Sequence, residues 1–581
     1  MLTKAAENYA TFEPRLVQYV RLTVIESTKN TKYVAIGDID IWHFDPVPAT
    51  AAKGGKWNTT LTFPIVPVTA FVNPHNHEVT VLSAFEPNRF VSDKDNKKTY
   101  AATWFPQTGL ITEEILSSTE HDMFCPATSY DEKGHFLVTG GSSPWAFSIY
   151  DPESRKWYRP NDIDTNKPSK FSISRGYAGQ TYLPNGKTFM IGGAWGPAND
   201  RTAKDGEVYD PKTGKWEVLT KVTAKSMEMD AVPDCTETQN PRCSGWKTEW
   251  QNHHPWLFAW KGDSIFHAGP SKRMNWYYTA PAKEGATIFA GTRKDNVTGF
   301  PDGDAVCGVA VMYDAEAGLI LTAGGAPNYH YWLDTRNQGE NDLHRLEATT
   351  NVFEIQLGTH GKEVFPRSLA PMKYQRIFAS GIVLPNGEIL VVGGQRKGEP
   401  FWEPTWQAVP EIYTPETNTW REVTRHFTPR VYHSWGLLMP DATVLVGGGG
   451  LDGGKDRDVN RYDAQIYEPP YLFAADGVTR LKQPEIKMID RKTYKTGENI
   501  TITTDVAVNA GSLIRYSATT HTVNNDLRRI KLSLQPVSGN DKTYTVKIPE
   551  DPGVALPGYW MLFVLADGVP SKAETVQILA K

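Results

Sequence analysis

One unit recurs along most of this 581-residue chain. An apolar run ends in a glycine pair, a tyrosine follows on a later run, and a tryptophan stands seven residues beyond it. Phe136-Leu137-Val138-Thr139 leads into Gly140-Gly141, then Tyr150 and Trp157. Phe189-Met190-Ile191 leads into Gly192-Gly193, then Tyr209 and Trp216; Ile389 to Val392 leads into Gly393-Gly394, then Tyr413 and Trp420. Looser copies end at Gly269, Gly325 and Gly450. A first copy, Val79 to Phe85 with Trp104, lacks the glycines, which makes seven copies in all. Between tyrosine and tryptophan run DPESRK, DPKTGK or TPETNT, which is turn chemistry.

A repeat of short strands at this period reads as the blades of a kelch-type β-propeller, each blade covering the apolar face of the next. The glycine pairs let neighbouring blades approach closely, and the aromatics fill the space between them. The reading is all-β: a seven-bladed kelch propeller over residues 46–480, followed by an immunoglobulin-like β-sandwich over residues 481–581. The second part rests on short alternating runs such as NITITT, TYTVKI and YWMLFVLA. Residues 1–45 hold two alternating stretches, LVQYVRLTVIES and YVAIGDIDIWHF, too few strands for a sandwich. They read as the tail of a jelly-roll whose front is missing.

Composition agrees and excludes some classes. Glycine (48), proline (40) and aromatics (11%) favour a turn-rich β protein. A net charge of −5 offers no basic field for nucleic acid, and no apolar run is long enough to span a membrane. The N-terminus, MLTKAAENYATFEP, has no apolar core and is not a signal peptide. Asn58, Asn296 and Asn499 open glycosylation sequons, which occur often by chance. Cys235 and Cys243 lie close enough in sequence to bridge in a secreted protein, though spacing does not decide it. Cys307 reads as a buried core thiol.

Chemistry concentrates elsewhere. Tyr432 and His433 stand side by side in TPRVYHSW, a phenol oxygen and an imidazole nitrogen that both suit copper(II). Neighbours on a regular strand point to opposite faces, so both reach one metal only where the backbone is irregular. Cys125 lies in HDMFCP, Tyr177 in SRGY, Trp195 in GGAW and His521 in THTVN. Taken singly, each has a plain structural reading: an inert thiol, an inter-blade filler, a core indole, a turn histidine. Arg528-Arg529 reads as an exposed pair with a solvated or packing role.

Jointly these motifs resemble those of the copper-radical alcohol oxidases, the galactose oxidase family. HDMFCP, SRGY, MNWYY, GGQR, RVYHS, SLIRY, THTVN and GVALPGYWMLFV occur in that family's order between residues 121 and 564. The resemblance also covers the N-terminal remnant, implying a partial galactose-binding-like β domain. It implies one copper ion held by Tyr177, Tyr432, His433 and His521. It further implies a thioether between Cys125 and Tyr177 that makes the ring a radical cofactor, Tyr432 as base, and Trp195 stacked over the cross-linked ring. His521 would then reach the propeller axis on a hairpin of the C-terminal domain. The implied reaction takes a primary alcohol and O2 to aldehyde and hydrogen peroxide, in a secreted monomer without nucleic-acid or membrane partners.

The substrate residues depart from the family pattern. Phe401, Trp195 and Phe90 match its sugar-facing aromatics. Trp250 stands where an arginine for the sugar hydroxyls is expected, and a Tyr-Gln pair appears as Tyr329-His330. Loss of a guanidinium's paired donors favours aryl or aliphatic alcohols over galactose. Two alternatives remain at this stage: a kelch binding module whose site has decayed, and a carbohydrate-binding protein acting through its N-terminal domain.

Overall fold

The computed structural model describes residues 50–90, 97–194, 203–227, 254–327, 329, 347–452 and 459–581. The N-terminal remnant, Trp195, Trp250, His330 and the Cys235 and Cys243 loop fall outside the described residues. Residues 48–581 form one compact unit. Within it, seven antiparallel sheets of the same hairpin-on-hairpin order follow one another along the chain. They span residues 69–116, 127–158, 179–218, 256–292, 309–368, 377–422 and 434–468, and are numbered here as blades one to seven. The ring closes with Lys56–Thr62, which pairs antiparallel with the last strand of blade seven, Asp463–Glu468. Nothing in the repeat pointed to that closing strand, because its Trp57, which faces Tyr467 across the pair, stands far from that tyrosine in sequence rather than seven residues after it.

The seven-residue interval from tyrosine to tryptophan has a direct cause. The two residues face each other across the outer hairpin of a blade: Tyr150 opposite Trp157, Tyr209 opposite Trp216, Tyr413 opposite Trp420. Their ring centroids lie 5.3, 5.3 and 5.0 Å apart, in the range of favourable aromatic pairs.

The glycine pairs also do what their spacing suggested, with a partner the sequence reading did not name. A Cβ on Gly140 would stand 2.2 Å from the carbonyl oxygen of Arg175, and one on Gly393 would stand 2.5 Å from that of Arg430. Each of these arginines opens the following blade. Its guanidinium turns back to donate to a carbonyl of its own blade's glycine run, Arg175 Nη1 to Gly192 O at 3.0 Å and Arg430 Nη1 to Gly448 O at 3.1 Å. Each also pairs with a carboxylate of its own blade, Glu207 and Asp463. Arg376 repeats the device in blade six with Gly393 and Glu411.

Beyond the propeller, a four-stranded and a six-stranded sheet between Ile486 and Leu579 pack face to face as a β-sandwich. Its core includes Ile500, Ile502 and Val546 from one sheet and Leu513, Leu562 and Val576 from the other, and it runs on into Trp256 and Trp260 of blade four. A short strand of this region, Ala518–Thr520, adds a fifth strand to the inner edge of blade one, with Thr69 opposite Thr520. Arg528 and Arg529 are not exposed, contrary to the sequence reading; both are buried between sandwich and propeller. Arg528 Nη1 donates to Ala259 O of blade four at 3.1 Å and Arg529 Nε to Ser512 Oγ at 2.8 Å. The charge count of a pair is visible in sequence; a neighbouring blade that covers it is not. No described helix is long and apolar enough to cross a membrane.

Three histidines outside the axis are buried and held neutral. Burial drives His121, His267 and His426 from the ordinary 6.5 down to about 3. The unfolded chain takes up these protons as pH falls through 6.5, whereas the folded one does so only near 3. Stability is therefore lost as pH falls below 6.5, by up to about 1.4 kcal/mol per pH unit for each histidine. Urea unfolding at about pH 7 and about pH 5 is expected to show a lower midpoint at the lower pH, with net proton uptake on unfolding. An unchanged midpoint would sink this account.

Candidate functional site

The innermost strands of blades two to seven are entered through non-glycine residues held at positive φ. These are Cys125 (φ 60), Tyr177 (57), His254 (56), Cys307 (50), Phe378 (64) and His433 (69). Four of them stand two residues before their strands, which begin at Ala127, Gly179, Trp256 and Val309. In blade six the residue lies just inside the strand Ile377–Val383, and in blade seven it directly precedes Ser434. Blade one receives its counterpart from the C-terminal region: His521, at φ 51, follows the added strand Ala518–Thr520. At three of these positions the N–H is turned toward the preceding blade. Tyr177 N donates to Cys125 O at 3.0 Å, His254 N to Tyr177 O at 2.8 Å, and Phe378 N to Cys307 O at 2.9 Å.

The side chains of these residues meet at the axis. Tyr177 and Tyr432 are hydrogen-bonded through their phenol oxygens. The rings of His433 and His521 lie 4.5 Å apart, and those of Tyr177 and His521 4.9 Å. Cys125 Sγ is 3.3 Å from His521 Nε2, and donor atoms of Cys125, His433 and His521 all fall within 4.8 Å of one another. The irregular backbone required for Tyr432 and His433 to act together is the positive φ at His433. Cys125, Tyr177, Tyr432, His433 and His521 are thus brought into one buried cluster. Phe401 sets its edge on Tyr432, with ring centroids 5.3 Å apart, and Phe90 stacks on Phe124 at 4.6 Å. Tyr329 stands 5.7 Å from Tyr432, ring to ring.

The electrostatics are those of a buried cluster. Burial pushes the phenols of Tyr177 and Tyr432 and the thiol of Cys125 well above their ordinary ranges; the nearby Cys125 adds to it for both phenols, whereas the Tyr177 hydroxyl partly offsets it for the thiol. Burial likewise lowers His433 to about 3, so its imidazole stays neutral. His433 Nδ1 donates to Gly450 O at 2.5 Å, which fixes the tautomer and leaves Nε2 buried with no hydrogen-bond partner among the described residues. His521 Nδ1 is tied to Thr520 Oγ1 at 2.7 Å, which leaves Nε2 as the atom facing the cluster. A bare buried imidazole nitrogen costs free energy unless something uses its lone pair. Two imidazole nitrogens beside two phenol oxygens form a donor set that suits copper(II).

Two family models match the chain. The galactose oxidase-like early set domain covers residues 483–578, and the glyoxal oxidase N-terminus covers residues 312–467. A galactose oxidase of Gibberella zeae is 38% identical over 574 residues, 98% of this chain and 77% of that protein. The chain belongs to the galactose oxidase family. A solved fungal alcohol oxidase of the AA5 family, in complex with copper, is 39% identical with a TM-score of 0.79; the match covers 91% of this chain and 100% of that one. An aldehyde oxidase GLOX of Vitis pseudoreticulata is 23% identical over 483 residues, 79% of this chain and 82% of that protein.

Sequence reasoning missed three side chains of this family member's cluster. His254 stacks on His521 with ring centroids 5.1 Å apart at 19°, lies 4.4 Å from the Tyr177 ring, and is within 3.2 Å of Tyr329 Oη through Nε2. A histidine two residues ahead of the apolar strand Trp256–Trp260 was a usable signal. Phe378 packs edge-on against Tyr432 at 5.0 Å, and Cys307 shares its apolar cluster. Neither carries a sequence signal beyond apolar character.

Groups that position metal ligands without touching the metal are commonly worth about 10-fold to 100-fold in affinity. Copper(II) titration of His254→Ala by calorimetry is expected to show weaker binding by about 10-fold or more. Wild-type affinity in that variant would show that the stacked imidazole is only filler.

Proposed function

We propose that this chain oxidises primary alcohols with O2 to aldehydes and hydrogen peroxide. Its cofactors would be one copper ion and a radical carried by Tyr177 cross-linked to Cys125. The observation that carries this reading is the bare Nε2 of His433 beside His521, Tyr177 and Tyr432 in one buried cluster. Tyr177, Tyr432, His433 and His521 would hold the ion, and Trp195 would cover the cross-linked ring. Copper, when bound, supplies a one-electron acceptor and the place where O2 is reduced.

The chain's own residues account for the rest. Tyr432 takes the hydroxyl proton of the alcohol, and its phenol oxygen sits within reach of that of Tyr177. The Tyr177 ring oxygen takes a hydrogen atom from the carbinol carbon. One proton and one hydrogen atom leave the alcohol in this way, one electron remains for the metal, and the product is the aldehyde. Return of two electrons and two protons to O2 gives hydrogen peroxide. A thioether on the Tyr177 ring donates electron density and makes its oxidation easier. The surrounding aromatics keep water from the radical.

Aryl and other apolar alcohols fit this mouth better than galactose. Phe90 on Phe124 and Phe401 on Tyr432 present ring faces and edges, and paired aromatics contribute about 0.5–1.5 kcal/mol beyond burial. Trp250 in place of an arginine, and His330 beside Tyr329, point the same way. The expected export route is secretion, and the expected active form is a monomer.

Peroxide release from aerated, copper-loaded protein is expected to be faster with benzyl alcohol than with butanol, and slowest with galactose. Phe401→Ala is expected to lower kcat/KM for benzyl alcohol by about 10-fold, the scale of one lost aromatic contact. Peptide mass analysis should find Cys125 and Tyr177 joined, lighter by two hydrogens than the separate peptides. Galactose turnover equal to that on benzyl alcohol would refute the substrate assignment. Absence of both peroxide and cross-link would refute the reaction itself.

A further inference from the structure

Among the described residues, six arginines are almost wholly shielded from solvent: Arg175, Arg293, Arg376, Arg430, Arg515 and Arg528. Five of them follow one rule. Arg175 pairs with Glu207, Arg293 with Asp302, Arg376 with Glu411, Arg430 with Asp463, and Arg515 with Asp526. Arg528 has no carboxylate within ion-pair distance among the described residues.

Its surroundings sharpen the problem. Arg515 and Arg528 are cross-strand neighbours: Arg515 N donates to Arg528 O at 3.0 Å, and Ile514 stands opposite Arg529 in the same strand pair. Like charges facing each other across strands repel, and here water does not screen them. The single carboxylate nearby is fully engaged. Asp526 Oδ1 accepts from Arg515 Nη1 at 2.6 Å, and its Oδ2 accepts from Tyr130 N at 2.7 Å. Two guanidinium charges against one carboxylate leave a net charge of about +1 in a buried site, a cost that is normally relieved by a counter-charge. Arg528 Nη1 donates to Ala259 O and Gly553 O, but Nε and Nη2 meet no acceptor among the described residues, nor does Nε of Arg515. Burial and the facing Arg515 charge together pull Arg528 down to about 9, which registers the same deficit.

We infer that the unpartnered N–H groups of Arg528 bind a small monovalent inorganic anion, chloride being the commonest candidate, between the sandwich and the propeller. Buried water would satisfy the N–H groups but supply no charge. The anion completes for Arg528 what a carboxylate does for the other five. Its place in the fold gives it a structural consequence. Arg528 lies seven residues after His521 on the same excursion into the propeller. That excursion is pinned by Asn525 Nδ2 to Gln180 O of blade three at 3.0 Å and by Arg528 to blade four. The anion would lock the segment that delivers His521 to the axis.

The test uses the copper-loaded full chain. Crystals grown with sodium bromide in place of chloride are expected to show an anomalous peak beside Arg528 Nε and Nη2. Thermal unfolding is expected to rise with chloride and then saturate, by about 2 °C or more over the gluconate salt at equal ionic strength. In Arg528→Met, a neutral side chain of similar length, the chloride dependence should vanish. Chloride bound at copper would persist in that variant and is thereby distinguished. Water alone beside Arg528, bromide confined to surface lysines and arginines, or equal unfolding temperatures in chloride and gluconate would each overturn the proposal. The wild-type measurements decide it even where the variant fails to fold.

Discussion

A chain of backbone hydrogen bonds around the mouth of the propeller holds the rest of this structure to its purpose. Tyr177 donates to Cys125, His254 to Tyr177, and Phe378 to Cys307, each from the first turn of one blade to that of the blade before. Those bonds exist because each donor is left-handed, a conformation that L-residues adopt only at a cost. The same rotation that aims the N–H at the neighbouring blade aims the side chain at the axis. One backbone choice therefore links blade packing to site assembly. The identity of each side chain is then free to vary: thiol, phenol, imidazole or phenyl.

This division explains what the sequence disclosed. The blade repeat was legible because its side chains pair at fixed register, Tyr150 on Trp157 and its copies, and because Gly140 and Gly393 face carbonyls that leave no room for a Cβ. The candidate ligands were legible through their motifs. The left-handed entry positions were not, since φ is written in no residue type except glycine; His254 and Phe378 went unnoticed, and Cys307 was read only as a buried core thiol. The arginines that open blades three, six and seven were in plain view at Arg175, Arg376 and Arg430, two or three residues before Tyr177, Phe378 and His433. The glycine carbonyls and carboxylates that bury them are contacts no local pattern shows. For Arg528 and Arg529, charge alone suggested the surface.

His521 is the ring's exception. The described part of blade one offers no left-handed entry residue of its own, and the strand Ala518–Thr520 takes the vacant inner edge. Thr520 Oγ1 contacts Val68 O at 3.1 Å and His521 Nδ1 at 2.7 Å, so the inserted strand and the imbedded ring are fixed together. A sheet edge left open is a template for a further strand. Here that property is used to bring a distant histidine to the same axis as residues of blades two, three and seven, and it makes the sandwich part of the site.

Seven left-handed non-glycine residues at about 1–3 kcal/mol each amount to a strain comparable with the whole stability of an ordinary domain. At Tyr177, His254 and Phe378 the backbone bond that offsets the strain runs to the neighbouring blade, so one blade alone does not supply it. The ring must close before the site can form, which requires Lys56–Thr62 on blade seven and Ala518–Thr520 on blade one. Burial of the phenols, the thiol and the imidazoles then follows from closure, and with it the neutral His433 whose Nε2 faces the cluster. The residues that would carry the chemistry meet only in the completed fold, so an incomplete ring would leave them apart rather than misassembled.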